Sequence, residues 1–175
     1  MSGQRSFILA NYFEPDPYAR FQIADRALNM AIVQAEITRS FEEYLEIFDE
    51  FYADDIEVTS EAQEEPIRGK TRLRSLLLNF LVPLHIMAEV GGVSISIREG
   101  AIPGDAVGET HSVWVLKLVG ASGKTCTVTW RTFRRWKGSS VVYERHCDQR
   151  QSGGPLTLND LTFNAGKPDP PSRIQ

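Results

Sequence analysis

His85, His111 and His146 are the three histidines of this chain, and with a few phenols they hold most of its capacity for proton transfer near neutral pH. His111 stands inside the alternating run Thr110–Val119, and an imidazole with an ordinary pKa near ~6.5 can act as acid or base there. It is the leading proton-transfer candidate; the competing reading is a strand histidine satisfied by its neighbours. His85 follows an amphipathic run, where it could reach a pocket mouth or simply bond loop backbone. Tyr143, in the run Ser140–Asp148, is suited to donate to a developing enolate or alkoxide. Trp130 offers a stacking surface, Thr132 and Arg145 polar handles, and Tyr44 and Tyr52 phenols at a pocket rim. His146 reads as outward-facing and structural.

Strand parity decides which of these groups meet. A four-residue loop, Gly120-Ala121-Ser122-Gly123, pairs Val119 with Lys124 and sets His111 near Thr132. A tight turn at Gly138-Ser139 sets Thr132 near Tyr143 or one diagonal away. His111, Trp130, Thr132, Tyr143, Arg145 and Cys147 then share the helix-covered face with Val113, Val115, Val128 and Val141. The opposite face receives Trp114, Leu116 and Phe133 among Arg131, Arg135, Glu144 and His146. Exposed aromatics need cover, which predicts a homodimer through Trp114, Leu116 and Phe133. The alternative cover is the chain's own tail, through Leu156, Leu158, Leu161 and Phe163.

The elements behind these faces are legible in outline. Residues 22–38 carry apolar positions on nearly every side, as in a well-buried helix. Ser40 can cap a second helix that recurs through Phe41, Tyr44, Leu45, Phe48, Phe51 and Tyr52. Ile56-Glu57-Val58 alternates as a strand does. The adjacent Asp54-Asp55 reads as a turn rather than a catalytic pair, since neighbouring strand positions face opposite ways. Thr71 is a plausible cap for a third helix, which Pro83 should end near Leu81. Long strands fill residues 90–149. Helices first and a meander afterwards predict an α+β domain.

The junction Phe51–Val58, the helix start Gly69-Lys70-Thr71 with Leu73-Arg74-Ser75-Leu76, His85 leading into Val90–Ile97, and the late hairpin Trp130–Trp136 with Val141–Asp148 resemble the SnoaL-like group of the nuclear transport factor 2-like superfamily. The resemblance covers roughly residues 22–149. It implies an α+β cone, a curved antiparallel (mixed) sheet wrapped around three N-terminal helices with an internal pocket. Residues 1–21 would be an arm and 150–175 an extension. It does not imply one activity, because the fold hosts enzymes, carriers and non-catalytic subunits. Isomerases of this fold use a pocket aspartate or tyrosine. The parity above leaves no acid on the inner face of residues 110–147, which argues against a carboxylate-driven isomerase or epoxide-hydrolase mechanism. The function expected is a cofactor-independent cyclase, isomerase or dehydratase acting by general acid–base chemistry on a hydrophobic, oxygenated metabolite. The alternative is a non-catalytic ligand-binding or structural subunit. The segment Phe41–Val58 and the strand end Cys147-Asp148-Gln149 also loosely resemble small subunits of ring-hydroxylating dioxygenases.

Composition sets the outer limits. The 175 residues carry 19 basic and 23 acidic side chains, a net charge of −4, and their basic runs are short, so no nucleic-acid partner is expected. No apolar run approaches the ~20 residues of a membrane helix, and Met1–Arg20 lacks a signal-peptide core, which points to the cytoplasm and no membrane partner. Cys126 and Cys147 read as reduced, buried thiols. Paired-histidine spacing, a Gly-rich phosphate loop and a nucleophile elbow are all missing, so neither metal nor cofactor is expected.

Overall fold

The structure, a computed structural model, describes residues 16–38, 40–90, 92–120, 122–154 and 156. Its helices are α1 (Pro17–Thr38), α2 (Phe41–Phe51) and α3 (Lys70–Val90). Its strands are β1 (Tyr52–Ser60), β2 (Ile67–Arg68), β3 (Gly92–Pro103), β4 (Glu109–Val119), β5 (Thr125–Lys137) and β6 (Ser140–Gly153). They form one sheet in the order β2-β1-β6-β5-β4-β3, with β1 and β6 the parallel pair. The helices cover one face, giving the expected α+β cone.

Ser40 caps α2 as its type and position predict: its hydroxyl accepts the Glu43 N–H at 3.2 Å. Tyr44, Ile47 and Phe48 form the buried stripe, and the backbone turns extended at Tyr52, so helix passes directly into strand. α1 departs from the all-round apolar helix expected of it. Ile23 and Met30 are 64% and 60% exposed, while the inward stripe of Phe21, Leu28 and Ala35 also carries Asp25, Asn29 and Glu36. α3 differs at both ends. It begins at Lys70, with Gly69 before it at φ +86°, so Thr71 is not its cap. It also runs through Pro83 to Val90 rather than stopping at Leu81. A proline removes one helical hydrogen bond, and burial of Leu81, Leu84 and His85 on both sides of it offsets that loss.

Two irregularities of one residue set the faces of the sheet. The β4–β5 connection is residues 120–124, with Val119 opposite Thr125 and the Gly120 N–H donating to the Lys124 carbonyl at 2.8 Å. That one extra residue turns β4 over relative to the expected pairing: Trp114 lies opposite Trp130 and Ser112 opposite Thr132. In the next hairpin Trp136 pairs with Val141 but Arg135 pairs with Tyr143, leaving a bulge at Val142. Arg134 therefore faces Glu144, and Thr132 faces His146. Ser112, Trp114, Leu116, Trp130, Thr132, Arg134, Glu144 and His146 share the helix-covered face. His111, Phe133, Tyr143, Arg145 and Cys147 lie on the other.

This corrects the expected dimer patch. Trp114 and Leu116 are 2% and 6% exposed within the single chain and belong to its interior. Phe133 alone of the three faces outward, where Arg145 and Tyr143 already flank it. Leu156 packs with the cluster around Leu84 and Leu116, at the inner side, rather than over the outer face; Leu158, Leu161 and Phe163 lie outside the described residues. β6 also continues past Asp148 to Gly153. Both cysteines are buried and unbonded. Among the described residues no helix is long and apolar enough to cross a membrane.

Candidate functional site

Between the helices and the inner sheet face lies a cavity of about 140 Å³. Its apolar wall comes from α1 (Ile32), α2 (Phe48), α3 (Leu77, Leu81, Leu84) and the sheet (Ile95, Trp114, Leu116, Trp130). Its polar lining is Glu36, Tyr44, Tyr52, Thr132, Arg134, Glu144 and His146. A dry cavity of about this size can hold a single aromatic ring. Apolar walls with a few polar groups are the usual make-up of a small-molecule site.

The polar groups are ordered by contacts among themselves. Glu144 accepts from the Tyr52 hydroxyl at 2.7 Å and from Arg134 Nε at 2.7 Å through one oxygen. Its other oxygen lies 2.7 Å from His146 Nε2. Arg134 reaches deeper, donating from Nη1 to Asp25 at 2.8 Å and to the Asn29 carbonyl oxygen at 2.6 Å. Ser112 donates to Asp25 at 2.9 Å and accepts from Asn29 at 2.7 Å, closing the chain. Trp130 Nε1 donates to Thr132 at 3.1 Å, and the Tyr44 hydroxyl donates to Glu36 at 3.2 Å.

Burial alone would push Glu144 toward its neutral form, but the Arg134 and His146 contacts hold its carboxyl well below the ordinary 4.5. Burial and the Glu144 charge raise the Tyr52 phenol far above its ordinary 10.0, so it stays a donor. Tyr44 is raised for the same reasons, burial first and Glu36 second. Arg134 is held charged: its carboxylate partners outweigh the burial that opposes its charge. An ionised carboxylate only accepts hydrogen bonds, so His146 must carry its proton on Nε2 when neutral. Nδ1 is then the nitrogen with a free lone pair. His146 is about a third exposed and also lines a groove with Val58, Leu73 and Leu76, which connects it to solvent.

The sequence-derived candidates divide sharply. Tyr44, Tyr52, Trp130 and Thr132 meet at this cavity. His111, Tyr143 and Arg145 do not. His111 lies in an outer concavity of about 410 Å³ with Arg131, Phe133, Arg145 and Cys147. Its pKa is lowered, first by burial and then by Arg131. The Tyr143 hydroxyl is engaged with Thr59 at 2.9 Å. His85 is buried in α3 with its ring centroid 4.3 Å from that of Phe41, and it is not part of the cavity lining. The inner-face carboxylate that parity denied is Glu144, with Asp25 behind it. Glu144 and His146 were placed on the outer face because one bulged residue, Val142, decides theirs; Arg134 shares the parity of Trp130 and Thr132, and that was the signal that could have found it. Asp25, Asn29 and Glu36 did leave a signal: they fall on the same helical stripe as Phe21, Leu28 and Ala35. Among the described residues no group of three or more histidine, cysteine or acidic side chains is placed to hold a metal ion.

No protein-family model and no curated protein matches the chain. Solved structures do. A Novosphingobium aromaticivorans protein, named provisionally as an aromatic ring hydroxylase, matches with TM-score 0.55 and 18% identity over 82% of this chain and 98% of its own. A Mycobacterium tuberculosis protein in complex with estradiol-17β-hemisuccinate matches with TM-score 0.50 and 14% identity over 70% and 92%. A SnoaL-like polyketide cyclase fold from Jannaschia sp. CCS1 matches with TM-score 0.49 and 9% identity over 71% and 85%. At such identities the shared property is architecture: the chain has the α+β cone fold of the Novosphingobium and Mycobacterium structures.

Proposed function

We propose that the inner cavity binds a small, mostly apolar, oxygenated molecule and that His146 exchanges a proton with it, as in an isomerisation, cyclisation or dehydration. The observation that carries this reading is the 2.7 Å contact between His146 Nε2 and Glu144 at the wall of an apolar cavity. Glu144 fixes the imidazole tautomer and orients the ring; Nδ1 takes a proton from a carbon beside a carbonyl and returns it there or at a conjugated carbon. Tyr52 and Arg134 keep Glu144 ionised and fixed. In this reading the acid–base role expected of His111 passes to His146.

Phenylacetone, a small aromatic ketone with exchangeable protons beside its carbonyl, tests this. The expected result is protein-catalysed replacement of those protons in D2O, followed by NMR, that falls at least ~100-fold in His146→Ala. Equal rates in the two proteins would remove His146 from the chemistry. A second reading, binding without chemistry in a carrier or structural subunit, is favoured by one observation. Arg134 is already committed to Asp25, Asn29 and Glu144, so little fixed positive charge is left for a developing oxyanion. Phenylacetone that binds without proton exchange would establish it, and co-purification with a larger iron-containing chain would favour a dioxygenase-type subunit.

A further inference from the structure

One buried donor, on a side chain that lines the cavity, has no partner among the described residues. The Trp114 side chain is 2% exposed, and its Nε1 has no hydrogen-bond partner among the described residues. The chain has three tryptophans, and the other two indole N–H groups are engaged: Trp130 donates to Thr132 at 3.1 Å and Trp136 to Thr110 at 2.9 Å. Trp114 lies nearly parallel to Trp130, their planes 9° apart and their centroids 6.1 Å apart, and both line the cavity. Leaving an N–H buried and unpaired forfeits its hydration, so such groups are rare and call for a partner. Of the other donors in the lining, the hydroxyls of Tyr44 and Tyr52 are held by Glu36 and Glu144, and Arg134 by Asp25, Asn29 and Glu144.

We infer that the Trp114 indole N–H is the specificity element of the cavity and selects ligands that present an oxygen acceptor, a ketone, ester or ether, over hydrocarbons of the same shape. The inference rests on the cavity being a ligand site, as proposed above, and adds to it the functional group that must be present. Leu116 and Trp130 give shape and burial; Trp114 requires an oxygen at one point. An apolar ligand would leave the N–H unpaired, whereas an acceptor would satisfy it in a site that water does not share.

Phenylacetone and 2-methyl-3-phenylpropene differ by C=O against C=CH2 in nearly the same volume, and their affinities for wild type and Trp114→Phe form a double-mutant cycle. The expected outcome is a ketone affinity about tenfold weaker in Trp114→Phe, with the alkene unchanged. Equal losses for both ligands, or none for either, would overturn the role of Trp114 while leaving the cavity reading intact. Failure of both ligands to bind wild type would instead overturn the cavity reading and, with it, this inference. Should Trp114→Phe not fold, the indole N–H resonances of ¹⁵N-labelled wild type decide the question. Phenylacetone should move the Trp114 signal downfield and the alkene should not; identical shifts from the two ligands reject the inference.

Discussion

The two faces of strands β4–β6 carry similar residue types in opposite circumstances. Each has a histidine, at least one arginine, aromatics and an acid. On the inner face Arg134 is 2% exposed and reaches two carboxylates. On the outer face Arg135 is over half exposed and pairs with Glu109 at 3.2 Å. The outer charges keep most of their hydration, so their contacts add little. The inner ones have given it up, and each stands only while its partner stands. The same asymmetry separates His146, oriented by a buried carboxylate, from His111, which lies among arginines. Composition does not make one face a site; loss of water does.

The largest expected contrast is between the arginines. Arg134→Met should lower stability by about 3–5 kcal/mol, since it strands Asp25 and Glu144 without a cation, whereas Arg135→Met should cost about 0–1 kcal/mol. Urea unfolding of the two variants measures the difference, and similar losses would erase the distinction between the faces. Next are the histidines: the ~100-fold fall in proton exchange expected of His146→Ala should have no counterpart in His111→Ala. A fall in the second variant would move the chemistry to the outer concavity.

A subtler contrast is in acid. The folded-state pKa of Glu144 lies below its unfolded value, so its contribution is complete above the ordinary 4.5 and is lost as pH falls from there through the depressed folded value. Stability measured at stepwise lower pH should therefore decline less steeply in Glu144→Gln than in wild type. A parallel decline would show that Glu144 is not specially held. The smallest effect is expected at the rim of the outer face: Arg131→Gln, removing a 3.6 Å contact with Asp148, should change stability by no more than ~0.5 kcal/mol.

Much of the fold was legible because periodicity and capping act over many residues at once. The α2 stripe, its Ser40 cap and the sequence of strands needed no single position to be right. The site was legible only in part because strand parity has no such redundancy. Val119 pairs with Thr125 rather than Lys124, and that one step exchanged Trp114 for Val113 and Ser112 for His111 at the cavity. Trp130 and Thr132 were placed on the inner face because β5 anchored the reading, with β4 and β6 each set against it. Pro83 misled for a different reason: its local preference was real, but the packing of α3 outweighed it.

The bulge at Val142 also bears on how a protein like this acquires new chemistry. Substitutions change one side chain and leave its direction fixed. Drawing Val142 out of the bulge into regular pairing with Arg135 would instead rotate the whole distal part of β6, withdrawing Glu144 and His146 and turning Tyr143 and Arg145 toward the helices. A one-residue step of register at a hairpin thus swaps an entire set of functional groups without altering their identities. For lineages built on this sheet, small insertions and deletions near the turns are the larger evolutionary step.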